Sequence, residues 1–309
     1  MKILYVFVLS LVFLSCQDTV PTDDRLKLII DADTANEVDD LFAIVRALTA
    51  PSLHILGITS AQFHISPLAS DTTVLESQAI NQDILRLMNI DHIPLPIGSN
   101  SPMLNPKDPA SSQASRFIIE QAHKISGDDI LHIAVLGSCT NVASAIVEDP
   151  TIISKIAVYY IGFWHDAEQN IYDKKEFNSG NDTVAVNVLL DTEGLDFNVM
   201  TATTCQHLVF DKSVVDDRLK AKGPIQDYMV SRWNTFERWW TKEDPAKLKW
   251  IMWDVAIIEA LIHPHLAVKE TFTTPPENAK RYIEAYVSIE VDDMKASFWE
   301  AMNALKTDQ

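Results

Sequence analysis

The chain has 309 residues, 47% of them hydrophobic, which is enough for a large buried core, and no Pro/Gly/Ser-rich linker divides it. Its 25 basic and 43 acidic residues give a formal charge of −18, with no Lys or Arg cluster. That balance argues against nucleic acid, an anionic membrane surface or a polyanionic substrate as partner.

Residues 1–15 carry Lys2 and an apolar run over 3–14, the length of a signal-peptide core and too short to span a bilayer. Ser15-Cys16 at its end resembles a bacterial lipoprotein signal, in which the cysteine becomes the lipidated N-terminus, although Phe13 stands where an aliphatic residue is usual. The expectation is export and a lipid anchor at Cys16 on a bacterial membrane, a flexible tether over 16–25, and one domain over 26–309; an ordinary cleaved signal is the alternative. Cys139 and Cys205 then remain, read as free buried thiols, with one bridge as the other possibility.

Further along, β-type apolar runs alternate with helical stretches. Residues 26–31 read as a strand, and 38–50 as an amphipathic helix with apolar residues at 38, 41, 44, 45 and 48. A strand over 53–60, a helix over 72–88, a short Pro-interrupted strand over 93–97 and a helix over 111–124 follow. Next come a strand over 130–136, a helix over 141–148, a strand over 156–161, a helix over 183–191 and a strand over 196–200. Beyond residue 212 the pattern turns helical, and 281–291 alternates like a strand closing an edge hairpin. The predicted class is α/β: an open, mostly parallel central sheet wrapped by helices, with a helical C-terminal section. Trp233, Trp239, Trp240, Trp250 and Trp253 crowd into that section and read either as core or as walls of a pocket for a flat ring.

Four polar clusters stand at predicted strand ends or helix starts. The first puts Asp31, Asp33, Glu37, Asp39 and Asp40 into ten positions after an apolar strand. Ligands bind at the carboxyl ends of strands in open α/β sheets, and gathered carboxylates repel one another unless a hard cation sits among them. Oxygen ligands alone admit calcium or magnesium. A solvated acidic helix start is the plainer reading. The second cluster is the turn Gly137-Ser138-Cys139-Thr140-Asn141, the third Glu176-Phe177-Asn178 with Asn170 upstream, and the fourth Trp253-Asp254 before an apolar helix. Read singly, these are a capped turn, a polar loop and a helix-dipole partner.

In this order, Asp-x-Asp…Asp-Asp, Gly-x-x-Thr-Asn, Glu-Phe-Asn and aromatic-Asp, the clusters resemble the inosine–uridine nucleoside hydrolase family across nearly the whole chain after the leader. The resemblance implies an open α/β fold, a bound calcium ion, and hydrolysis of the N-glycosidic bond of ribonucleosides through an oxocarbenium-like transition state. It also implies roles: Asp33, Asp40, Asp254 and the Leu136 carbonyl as metal ligands, and Asp33 as general base for the attacking water. Asp39, Glu176 and Asn178 would hold the ribose, Asn170 the 5′-hydroxyl, and Asp31 would orient the loop. The implied partner is a small-molecule nucleoside, in a setting of nucleoside salvage, and a homo-oligomer is left open.

The chain departs from the family pattern in three places. Asp33 and Asp40 lie two residues further apart than usual, with Thr34-Ala35-Asn36-Glu37 in place of a Pro-Gly turn and Glu37 as a further acid. Trp253 stands where several members have a His that protonates the leaving group. Gln62-Phe63-His64 replaces a Gly-Asn pair, which makes His64 either a ribose contact and proton donor or a satisfied loop residue. Two rival functions remain. Asp31-Ala32-Asp33-Thr34 also fits the opening of a haloacid-dehalogenase-like phosphatase, and a surface lipoprotein could keep the calcium and sugar site without turnover.

Overall fold

The computed structural model describes residues 23–237 and 244–305. The apolar N-terminal run, Cys16, Trp239 and Trp240 lie outside the described residues.

The chain enters as β1 (Leu26–Ala32), passes through a loop into α1 (Asp39–Leu48) and returns as β2 (Leu53–Ser60), parallel to β1. Helices α2 (Thr73–Leu87) and α3 (Gln113–Lys124) lead to β3 (Leu131–Val135), which pairs with the opposite side of β1. Then α4 (Thr140–Glu148) returns the chain to β4 (Ile156–Gly162), followed by the small hairpin β5 (Trp164–Asp166) and β6 (Ile171–Asp173). Helices α5 (Phe177–Asn181) and α6 (Thr183–Asp191) precede β7 (Asp196–Thr201) and the short α7 (Ala202–Cys205).

The last third contains β8 (Val209–Asp211), α8 (Lys212–Leu219), α9 (Pro224–Thr235) and β9 (Lys249–Ile251). It closes with α10 (Trp253–Ile262), β10 (Ala267–Thr273), β11 (Tyr282–Ile289) and α11 (Val291–Ala304).

The main sheet runs β10-β11-β7-β4-β3-β1-β2, with every neighbour parallel except the edge strand β10. Parallel strands need both faces covered, and the side-chain alternation supplies two apolar faces. Leu28, Ile30 and Ala32 pack against α1, α10 and α11 on one side, whereas Ile29, Ile133 and Val135 pack against α3, α4 and α6 on the other. Order reverses between β1 and β3, because the chain first moves outward to β2 and then crosses to the far side of β1. At such a switch point the connections leave in opposite directions and open a crevice beyond the strand tips.

The expected class is the observed one. The stretch 93–97 is the clearest departure: Pro94 and Pro96 lack the amide donors a ladder needs, so it touches β2 only through a single bridge, Ser60 to Ile97, and a bond from Ile58 N–H to the Pro94 carbonyl. The terminal section also holds more strand than its helical pattern suggests. β11 is an interior strand between β7 and β10, and β10 blunts the sheet edge with exposed Lys269 and Glu270. Among the tryptophans, Trp233 and Trp250 are core, edge-to-face at 5.4 Å, while Trp253 faces a cleft. Cys139 and Cys205 are both buried and free.

Candidate active site

A cleft of about 210 Å³ opens over the switch point, lined from β1 and its loop by Asp33, Asn36, Glu37, Asp39 and Asp40. Leu136, Ile161, Trp164, Glu176, Phe177, Asn178, Ala202, Trp253 and Asp254 complete the wall. Two helix starts bring the acids together. Asp39 and Asp40 occupy the first turn of α1, Asp254 that of α10, and the Asp254 N–H donates to Asp39 Oδ2 at 3.3 Å. The positive ends of two helices thus point at one spot, where anionic side chains are favoured.

Asp39, Asp40 and Asp254 each place a carboxylate oxygen within 4.8 Å of the others, all buried. Burial, followed by the charges of the neighbouring acids, pushes Asp33 and Asp254 well above the usual carboxylate range. The same burial lifts Asp40 to about 8, with Asp39 adding its repulsion. Asp33 Oδ2 and Asp40 Oδ1 have no hydrogen-bond partner among the described residues. Asp33 is held close over the turn after β3: a methyl on Gly137 would lie 2.7 Å from its Oδ1, so only glycine allows that approach.

Another part of the cleft wall is built around α5. Glu176 caps that helix, accepting from Asn178 N–H (3.0 Å), Ser179 N–H (2.9 Å), Ser179 Oγ (2.9 Å) and Phe163 N–H (3.2 Å). Three of the four donors use Oε2, so Oε1 keeps room for another donor. Asn178 donates from Nδ2 to the Leu136 carbonyl (2.6 Å) and to the Ile161 carbonyl (3.2 Å), joining the tips of β3 and β4. Phe163 carries φ +60, an uncommon conformation for a bulky residue. It buries its own ring and leaves the next side chain, Trp164, in the cleft, edge-to-face with Trp253 at 5.9 Å.

The sequence model of the inosine-uridine preferring nucleoside hydrolases matches residues 28–300. The chain belongs to that family. Among the curated relatives of this nucleoside hydrolase, the probable uridine nucleosidase 2 of Arabidopsis thaliana is 23% identical over 224 residues, 67% of this chain and 68% of its own. The pyrimidine-specific ribonucleoside hydrolase of Escherichia coli K12 is 26% identical over 215 residues, 65% and 67% of the two chains. A plant nucleoside hydrolase superposes with a TM-score of 0.71 at 16% identity, covering 91% of this chain and 99% of the other. For a purine-preferring ribonucleoside hydrolase of Gardnerella vaginalis the values are 0.67, 18%, 90% and 98%. These structures share the fold.

The acids suit the divalent cation such a hydrolase requires. The crowded carboxylates of Asp39, Asp40 and Asp254, with Asp33 lining the same cleft and unpartnered buried oxygens on Asp33 and Asp40, form an all-oxygen set of four acids that lacks positive charge. The tight triad contains Asp39, not Asp33, whereas the sequence reading put Asp33 on the metal and Asp39 on the sugar.

Two expected residues stand apart from the cleft wall. Asn170 spends its amide on Thr273, donating to the carbonyl (3.0 Å) and to Oγ1 (2.9 Å), and so fastens the β5–β6 turn to β10. His64 is exposed and turned toward the Gln62 side chain, with Nδ1 2.6 Å from Oε1. Asp31 sits behind the wall, accepting from Thr59 Oγ1 (2.6 Å) and Asn141 Nδ2 (2.9 Å). Conversely, Asn36 and Trp164 line the cleft without having been singled out. Asn36 was visible only as part of an unusually long loop. Trp164 had no signal, because the turn at Phe163 that exposes it has no sequence signature.

Proposed function

We propose that this nucleoside hydrolase cleaves the N-glycosidic bond of ribonucleosides to ribose and free base, dependent on a bound divalent cation for which calcium is the best fit. One observation carries the reading: Asp33, Asp39, Asp40 and Asp254 converge at the switch point in the same cleft as Glu176 and Asn178. Asp33, Asp40, Asp254 and the Leu136 carbonyl would hold the ion, with Asp39 close enough to share it. When bound, the ion acidifies and orients a water and neutralises the acids around it.

The chain's own groups do the rest. Asp33, with Oδ2 unpartnered, removes the proton of the attacking water. Asp39 and the open side of Glu176 Oε1 accept from ribose hydroxyls and set the anomeric carbon in line with that water. The surrounding carboxylates stabilise positive charge developing on the ring, as in glycosidases. Trp253 and Trp164 offer the departing base an apolar, aromatic corner. In this reading Asn178 acts indirectly by fixing the Leu136 carbonyl. Cys16 anchors the enzyme outside the cytoplasm, and nucleoside salvage follows from the reaction.

The test offers the purified protein a panel of purine and pyrimidine ribonucleosides with and without a calcium chelator, and reads ribose release. Release that stops on chelation and returns with calcium supports the reading. Release indifferent to chelation sinks the metal dependence. Cleavage of p-nitrophenyl phosphate but no nucleoside favours phosphatase chemistry, and ribose binding without release a binding protein.

A further inference from the structure

The loop from β1 to α1 is longer than in the family pattern, and hydrogen bonds tie it to α2, α9 and β9. Thr34 Oγ1 donates to Asn81 Oδ1 on α2 at 2.7 Å, and the Asn36 N–H closes a turn onto the Asp33 carbonyl at 2.7 Å. From α9, Arg232 Nη2 reaches the carbonyls of Ala35 (3.4 Å) and Glu37 (3.5 Å), while Trp250 Nε1 on β9 donates to Glu37 Oε2 at 3.0 Å. Asn36 is therefore fixed on both sides.

Asn36 itself is 6% exposed, lines the acidic cleft, and has Oδ1 without a hydrogen-bond partner among the described residues. A buried amide oxygen without a donor costs about 1–3 kcal/mol and calls for an explanation. Asp33 Oδ2 and Asp40 Oδ1 line the same cleft and lack partners too, so the loop and the first turn of α1 together present three buried oxygens without a hydrogen-bond partner among the described residues. Once the two carboxylates are ionised, all three groups only accept and cannot satisfy one another; a cation satisfies all of them together.

We propose that Asn36 supplies its side-chain oxygen as an additional ligand to the divalent cation, and that the longer loop exists to place it there. The inference rests on the metal reading above. Its chemical consequence is selectivity. Calcium takes six to eight oxygen ligands in flexible geometry, whereas magnesium keeps several waters and gains little from one more protein oxygen. A neutral amide also adds coordination without adding to the crowded negative charge.

The test is calorimetric titration of chelator-stripped protein with calcium and, separately, magnesium, for wild type, N36A and N36D. Removing the oxygen in N36A is expected to raise the calcium Kd about tenfold and the magnesium Kd less than about threefold. N36D retains an oxygen and is expected to bind calcium at least as tightly as wild type. A calcium Kd for N36A within about threefold of wild type overturns the proposal, as does equal weakening of both ions or weakened calcium binding by N36D. A raised KM for nucleoside with unchanged calcium affinity also overturns it, in favour of a sugar contact. Failure of the wild-type protein to take up either ion defeats the metal reading itself, and is distinct from all of these.

Discussion

At the scale of single residues the site is defined by which polar atoms are spent and which are free. Glu176, Asn178 and Asp31 look alike in sequence to any ligand-binding polar residue, yet each is largely committed to backbone or neighbouring side chains. Asp33 is the opposite, buried with an oxygen unpaired. Asp33→Asn keeps its shape and removes its basicity, and assay at saturating calcium offsets the weaker hold on the ion that the lost carboxylate brings. Steady-state kinetics are expected to show kcat lowered by about 10²–10⁴-fold with a much smaller change in KM. A variant retaining more than about a tenth of wild-type kcat would mean that another group takes the proton. The acids were legible because five of them after a buried strand have few structural uses. Where Asn170 and His64 sit was not legible in the sequence: Thr273, which holds Asn170, lies 103 positions away, and the Gln62 side chain that His64 meets belongs to a stretch that departs from the family motif.

Elements carry the acids to one another. Asp39 and Asp40 ride on α1 and Asp254 on α10, and the two helices are joined behind the site by Arg46 and Glu259, 2.6 Å apart and nearly inaccessible. Ser297 of α11 completes the network, donating to Glu259 Oε2 at 2.8 Å and accepting from Arg46 Nη2 at 3.0 Å. Arg46→Met leaves Glu259 buried without its cation and is expected to cost about 3–5 kcal/mol in urea unfolding. The double variant Arg46→Met, Glu259→Met should recover most of that loss. Equal destabilisation by the single and double variants would show that packing, not the uncompensated charge, sets the cost. Periodicity revealed such helices well: the predicted 183–191 is α6, and 72–88 differs from α2 by one residue at each end. The three-residue strands β5, β6, β8 and β9 are too short to show a period, and the apolar run of β10 is broken by the charges that protect an edge.

For the whole molecule, the acidic site makes stability a function of pH and of the cation together. Burial raises Asp31 and Asp39 to about 6 and Asp40 to about 8, so the folded, metal-free protein keeps protons that the unfolded chain releases near pH 4. Their contribution is full below about pH 4 and is lost as pH climbs through about 6 to 8. In chelator, the melting temperature is therefore expected to fall between pH 5 and 8.5. Calcium should reverse that trend, because the ion binds the deprotonated acids and its affinity rises with pH. Thermal melts across that range check both halves, and a metal-free protein that grows more stable toward pH 8 would contradict them.

The contact between Asp39 and the start of α10 spans 215 positions. During synthesis, the first acids of the site emerge long before the last. A nascent chain that has made β1 and α1 has an incomplete set of carboxylates, and their attraction for a cation becomes strong only when Asp254 arrives and α10 seats against α1. Binding energy that accrues at that late docking step biases the chain toward closure. A cation that binds only the completed set of acids would thus act, besides its chemistry, as a late clasp, favouring the chain in which α10 has seated on α1 over one in which it has not.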